Sequence, residues 1–435
     1  MSKQSEETGA SLTRREFLKT ATAAGSTAAL LATTNYAFAQ GSDQIKIGLV
    51  GCGGRGTGAA ADALQADPGI HLTAMGDVLR PQLERSLATL QKQEGLGSRV
   101  QVPEKNQFIG LDAYQRVIDS GVDVVLLCTP PGFRPQHIKA AVAAGKHIFA
   151  EKPMGTDVAG VLSALKAVNG GRKDRSFLSG FCYRYAEPHR AFYKRLHEGA
   201  IGPVRFVHAT YLTSPVKPMP PASARPAGMS DVEWQIRNWY NFVWLSGDGL
   251  IEQACHSIDK IMWAMKDVLP ARCVATGGRI HPNNEGNIFD HIDVFYEWPD
   301  GTRATMAQRQ IADCPHNDNT DYVIGTKGTG TVHFAAAEMT GDTPWRTETP
   351  RKTMYQLEHD ALFAAIRKNQ PIREQEKMAR STLVGLMGRM AAYTGAAVTW
   401  DDLIKSNEDL FPKELDWNGR LPIAPMAKAG KPALA

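Results

Sequence analysis

From Ile45 to Ala150 the chain alternates short, almost wholly apolar runs with segments whose apolar residues recur every three or four positions. The runs Ile45–Val50, His71–Met75, Val122–Cys128 and His147–Ala150 have strand length, and 56–65, 81–93, 113–120 and 136–144 carry helical periodicity. Strands that are apolar on both sides need cover on both faces, so this half predicts a parallel, doubly wound sheet. Farther on the pattern changes. "VRFVHATYL", "IDVFYEW", "TRATMAQRQ" and "DYVIGT" read as strands rich in β-branched and aromatic residues, and a helix is predicted around Met354–Lys368.

The first 39 residues do not belong to either pattern. Arg14 and Arg15 precede Phe17-Leu18-Lys19, a weakly apolar Ala/Thr/Leu stretch and the small-x-small triplet Ala37-Phe38-Ala39. This reads as a twin-arginine signal cleaved after Ala39, for a protein exported already folded to the periplasm or another extracytoplasmic space. Thr20, Thr22, Ser26, Thr27, Thr33 and Thr34 interrupt the stretch too often for a membrane span of roughly 20 apolar residues. The remainder of the 435 residues is too long for one ordinary domain and comfortable for two. A net charge of +4 excludes a nucleic-acid footprint. The six cysteines show no CxxC pair and no zinc-site spacing, so no metal is expected, and their disulfide state stays open.

Candidate chemistry begins where the first strand ends. "GCGGRG" sets Gly51, Gly53 and Gly56 in G-x-G-x-x-G spacing between a strand and a helix. The first glycine permits a tight turn, the second lets backbone approach a pyrophosphate, and the third lets helix and strand pack closely. The helix N-terminus then faces the phosphates. Asp77 ends the next strand, where a carboxylate hydrogen-bonds the ribose hydroxyls of NAD. Arg80 nearby keeps NADP open, because a guanidinium suits a 2'-phosphate.

This fingerprint, followed by "CTPP" at Cys128–Pro131, Glu151-Lys152-Pro153 and a long second half, resembles the Gfo/Idh/MocA family of oxidoreductases over essentially the whole chain after the leader. The resemblance implies an N-terminal Rossmann dinucleotide-binding domain (41–153) and a C-terminal α+β substrate domain (154–425) with an open, mostly antiparallel sheet, followed by a tail (426–435). It places the active site between the domains and makes the open sheet face an oligomer contact, in a homodimer or homotetramer. Cofactor contacts then fall on Gly51, Gly53, Arg55, Gly56, Asp77, Arg80, Thr129, Pro130, Glu151 and Lys152. Lys152 corresponds to the family's lysine beside the nicotinamide and the reacting hydroxyl; the plain alternative is a solvated lysine after a strand. In "SGDGLIEQACHSIDK", Glu252 stands at the family's Asp position and His256 at its His position. Four residues are one helical turn, so both are expected on one face, the carboxylate orienting the imidazole as general base. The alternative is a core histidine. Glu252 is longer than the family's Asp and Asp248 interrupts its glycine run. Tyr183, Arg184 and Trp239 are candidate substrate contacts, although the Trp234–Trp244 aromatics suit core packing equally well.

The expectation is an exported oxidoreductase that moves hydride between a tightly bound nicotinamide and a secondary hydroxyl of a sugar, cyclitol or glycoside. Cofactor retention would reconcile export with dinucleotide chemistry. Two other readings stand beside it. One is NAD-dependent, redox-assisted glycoside cleavage without net redox, a chemistry of exported relatives that share the "GGRG" loop but tend to lack the lysine. The other is a non-catalytic exported binding protein.

Overall fold

Ile47, Leu49, Val124 to Leu127 and Phe149 have essentially no exposed surface, because the strands that carry them lie side by side between two layers of helices. The computed structural model describes residues 43–281 and 285–430; the leader with its cleavage site and the last five tail residues lie outside them. Six parallel strands, β1 (Ile45–Val50), β2 (Ile70–Asp77), β3 (Gln107–Ile109), β4 (Val124–Leu127), β5 (His147–Ala150) and β6 (Phe177–Ser179), are ordered β3-β2-β1-β4-β5-β6. Helices α1 (Gly54–Ala66), α2 (Arg80–Gln91), α3 (Ala113–Asp119), α4 (Arg134–Ala143) and α5 (Val158–Gly170) cross between them. This is a doubly wound Rossmann sheet, whose ligands bind beyond the carboxyl ends of the strands. It extends past residue 153, since α5 returns the chain so that Phe177 and Leu178 complete the edge beside β5.

The second sheet has nine strands. β7 (Val204–Thr213), β8 (Arg272–Gly278), β9 (His291–Glu297), β10 (Arg303–Gln310), β11 (Asp321–Gly325), β12 (Thr329–Val332), β13 (Ala337–Met339), β14 (Trp345–Arg346) and β15 (Val398–Thr399) run in the order β14-β13-β12-β11-β7-β10-β9-β8-β15. Every adjacent pair is antiparallel except β7 with β10. Residues alternate across it: Ile292, Val294 and Tyr296 of β9 are buried, whereas Phe295 stands in solvent. Besides α6 (Glu187–His197), the buried face carries α7 (Gly249–Glu252), α8 (Cys255–Ala264) and α10 (Gln375–Thr394), and α9 (Met354–Arg367) lies on α1. From Ser381 to Tyr393 α10 is buried almost all round, enclosed by sheet and helices, and its buried polar residues find partners there, Ser381 on Asp259 and Arg389 on Glu408. The opposite face leaves Val274, Phe295, Tyr322 and Ile324 exposed.

A third apolar cluster ties the domains together. Trp234, Phe242 and Trp244, from the segment after β7, pack with Phe133 of the loop after β4 and with Phe411, Trp417 and Leu421 of the C-terminal segment. Phe411 meets Phe133 and Trp244 edge-on at 5.7 and 5.8 Å between centroids. Hydrogen bonds from Gln235 Nε2 to the Leu421 carbonyl (2.6 Å) and from Leu421 N to Asp231 (3.1 Å) pin the segment down.

Candidate active site

A cleft of about 600 Å³ opens beyond the carboxyl ends of β1, β2, β4 and β5, with the second domain as its far wall. The glycine loop forms its floor. Gly51 has φ +94°, and a Cβ there would lie 2.7 Å from the Cys128 carbonyl carbon. A Cβ on Gly56 would fall 1.9 Å from the Gly51 oxygen, so α1 and β1 touch backbone to backbone. A Cβ on Gly53 would meet nothing within 4 Å. The first turn of α1 has no side-chain cap and no acidic residue, leaving its N–H groups for an anion. The Asp77 carboxylate accepts from Cys52 N (2.7 Å) and Leu79 N (2.8 Å) and keeps a lone-pair direction on each oxygen for ribose hydroxyls. Burial raises its pKa, and these N–H bonds oppose the rise. These residues fit a dinucleotide.

Two expected cofactor contacts sit otherwise. Arg55 lines the cleft, but its Nε bonds Glu151 Oε1 at 2.5 Å, and its guanidinium stacks on Tyr355 at 4.6 Å and lies 3.7 Å from Glu358 of α9. It ties the loop to β5 and α9 because two buried carboxylates, Glu151 and Glu358, outcompete an open phosphate site for its charge. Arg80 opens α2 on its solvent side, 60 % exposed and 3.9 Å from Glu84, away from the residues that line the cleft. Thr129, Pro130, Glu151 and Lys152 do line it. The carbonyl of Thr129 is held by buried Arg134, which also bonds the Pro153 carbonyl.

Lys152 projects from the end of β5 into the wall between the domains. Its Nζ donates to the Glu252 backbone carbonyl and lies 3.3 Å from Glu252 Oε1. Burial alone would lower its pKa, but the Glu252 charge outweighs burial and keeps the ammonium protonated. Glu252 accepts from Gln253 Nε2 through its other oxygen (2.5 Å), and Gln253 Oε1 accepts from the Tyr211 hydroxyl (2.7 Å). The expected Glu252–His256 pairing is absent. α7 ends at Glu252 and α8 begins at Cys255, so the two residues share no helical turn, and the carboxylate turns to Lys152 instead. His256 lines the cleft with Nδ1 lacking a hydrogen-bond partner among the described residues. Burial first, then the charges of Lys152, Lys260 and Arg55, hold its pKa well below the usual histidine range. The imidazole is therefore neutral at pH 7.

Asp248 has φ 91°, in the region that favours glycine. Its carboxylate repays that strain by accepting from Phe289 N (2.8 Å), Tyr393 Oη (2.5 Å) and Leu250 N (3.4 Å). Among the candidate substrate residues, Tyr183 and Trp239 reach the cleft, whereas Trp234 and Trp244 are core. Arg184 does not reach it. Its guanidinium bonds Asp259 (2.8 and 2.9 Å) and Asp267 (2.8 Å) and stacks on Trp263, because the 182–185 segment is a 3-10 turn that rotates each side chain by about 120° from the one before. Arg184→Leu is expected to cost about 3–5 kcal/mol in stability, as for any buried ion pair broken on one side, with KM unchanged. Thermal unfolding alongside steady-state kinetics checks this. Tyr211, Gln253 and Asn319 also face the cleft. A chemistry-bearing spacing does not mark them in the sequence: Tyr211 is placed by β7, Gln253 by the break between α7 and α8, and Asn319 by the loop that enters β11.

Two family models match the chain: an oxidoreductase family with an NAD-binding Rossmann fold over residues 45–173, and the GFO/IDH/MocA C-terminal domain over 189–331. The chain is 23% identical over 290 residues to inositol 2-dehydrogenase 3 of Saccharopolyspora erythraea, covering 66% of this chain and 72% of that one. It is 28% identical over 170 residues to a glycosyl hydrolase family 109 protein of Streptomyces coelicolor, covering 39% and 34%. In fold it is similar to a levoglucosan dehydrogenase solved with NADH and levoglucosan, with a TM-score of 0.64, 17% identity, and 82% and 99% of the two chains covered.

Proposed function

Because the chain belongs to the Gfo/Idh/MocA oxidoreductase family, matched by its models in both domains, we propose that it is an exported dehydrogenase acting on a secondary hydroxyl of a sugar, cyclitol or glycoside. The observation that carries this reading is the buried Lys152–Glu252 pair beyond the end of β5, in the same cleft as a neutral His256. NAD, when bound along the glycine loop, supplies the acceptor for hydride. Lys152 Nζ donates a hydrogen bond to the substrate oxygen and stabilises its alkoxide character. His256 takes the hydroxyl proton, and an unprotonated imidazole is the form able to do so. Glu252 acts on Lys152, fixing its place and charge. Asp77 supports NAD over NADP, and the cluster of Phe133, Trp244 and Phe411 beside the cofactor loop supports tight retention. The exposed Val274, Phe295, Tyr322 and Ile324 support a homo-oligomer through the open sheet face. Arg14-Arg15 and Ala37-Phe38-Ala39 support export by the twin-arginine route.

The test is to purify the protein from an export-competent host, denature it and identify the released nucleotide. The loaded protein is then offered myo-inositol, D-glucose, levoglucosan and cyclohexanol while nicotinamide absorbance is followed. Stoichiometric NAD that is reduced by a polyol is the expected result. Protein that neither carries nor binds a dinucleotide overturns the proposal. The likeness to the glycosyl hydrolase family 109 protein favours a second reading, redox-assisted glycoside cleavage. Release of nitrophenol from a nitrophenyl glycoside without added oxidant would establish it.

A further inference from the structure

α8 buries a cation, Lys260, to 1 % exposure. Its Nζ lies 2.6 Å from Asp321 Oδ2 on β11, and both side chains are sealed from solvent. The same ammonium sits over the ring of Tyr183, 4.7 Å from its centroid. Tyr183 in turn meets the imidazole of His256 at 5.2 Å and 76°. Lys260 and His256 are four residues apart on one unbroken helix, so they share a face.

A buried ion pair contributes little to stability compared with apolar side chains of the same volume. The core of the second domain gains nothing from charge at this point. Asp321, Lys260, Tyr183 and His256 nevertheless form a continuous column that ends in the cleft, and its last two members line that cleft.

We infer that Lys260 is a positioning residue: fixed by Asp321 beneath the Tyr183 ring, its ammonium braces that ring against His256 from one helical turn away. The inference rests on the reading of His256 as the base. The groups that face His256 are Lys152 from the end of β5, Arg55 from α1, Tyr183 from the 182–185 turn and Lys260 from its own helix. Glu252, the nearest carboxylate of the preceding turn, is committed to Lys152 and Gln253. Three cations thus act on the imidazole, and Lys260 does so from behind it, out of reach of substrate. Its contribution falls in the same direction as that of Lys152 and Arg55, after the larger effect of burial.

The experiment is an NMR titration of histidine rings labelled at Cε1, with the His256 signal assigned by its loss in His256→Asn. In Lys260→Met/Asp321→Asn, which removes both charges at nearly constant volume, the His256 midpoint is expected to rise, by less than the roughly one pH unit or more of an isolated nearby charge because the Asp321 anion leaves with the cation. Lys260→Arg, which keeps the cation, should titrate like the parent. Lys260→Gln/Asp321→Asn, which also removes both charges but keeps polar groups that can pair with each other, is expected to shift in the same direction and replaces the first double variant if that one does not fold. An unmoved midpoint overturns the inference, and so does an equal shift in Lys260→Arg. The acidic limb of kcat/KM, measured on whichever of myo-inositol, D-glucose or levoglucosan is turned over, should move up with the midpoint. If the midpoint moves and the limb does not, Lys260 acts on His256 as inferred and the base assignment falls. The NMR readout needs no substrate, so it stands apart from success or failure of the dehydrogenase reading.

Discussion

Lys152→Met is expected to abolish turnover while leaving the dinucleotide bound. The side chain lost is the donor aimed at the substrate oxygen, and removal of one such preorganised donor costs roughly 10²–10³-fold in kcat. A second effect adds to this. Glu252 would be left as a buried carboxylate with only Gln253 to satisfy it, which disturbs the wall of the site further. A combined loss of roughly a thousandfold or more in kcat is the expected outcome. The glycine loop and Asp77 are untouched, so nucleotide released on denaturation should stay stoichiometric. An active Lys152→Met protein would sink the proposed mechanism, whereas a variant that has lost its nucleotide would show that Lys152 serves cofactor binding first.

The glycine loop gives the second large effect, and its two positions separate fold from ligand. In Gly56→Ala the new methyl would lie 1.9 Å from the Gly51 oxygen and 3.2 Å from the Cys128 side chain. Gly51 is itself anchored through its N–H to the Gly76 carbonyl at 2.8 Å, so α1 must move away from β1. Overpacking of this kind costs about 1–3 kcal/mol, and an ångström of displacement in a binding loop costs roughly a hundredfold in function. Both the melting temperature and the bound nucleotide should fall. Gly53→Ala is expected to behave differently. Its methyl meets no protein atom within 4 Å, so the apo protein should melt like the parent, while dinucleotide affinity drops because the methyl occupies the space left for phosphate. Calorimetric melting and NAD titration of the two variants check the pair. Gly53→Ala protein with parental NAD affinity would place the phosphates elsewhere.

The legible parts of this protein are those whose cause is local. Apolar runs such as Ile45–Val50 can be stable only inside a covered sheet, and G-x-G-x-x-G between strand and helix has few other uses. Both are therefore written in adjacent residues. The long helix over Met354–Arg367 was equally plain, and its start is fixed by Thr353, whose side chain caps Gln356 N. Short edge strands such as Gln107–Ile109 and Phe177–Ser179 are set by the neighbours they pair with, which no local pattern reveals. The same holds at the site. Lys152 follows from its place at the end of a parallel strand. The partnering of Glu252 depends on a helix break at Gln253-Ala254, and that of Arg184 on two aspartates more than 70 positions away. Side-chain direction of that sort is a property of the assembled second domain.

The docking of the C-terminal segment sets a schedule. Thr129 to Phe133, which shape the cofactor cleft, leave the ribosome long before Phe411, Trp417 and Leu421, which hold that loop in place through Trp244 and Gln235. At about 5–20 residues per second, the interval is on the order of tens of seconds. Throughout it the first sheet can form, but the cleft has an unsecured wall. During this interval the loop after β4 lacks the packing that Phe411 gives to Phe133 and Trp244. One wall of the cleft is therefore completed only when the segment from Phe411 to Leu421 has docked, long after the strands it backs have been made.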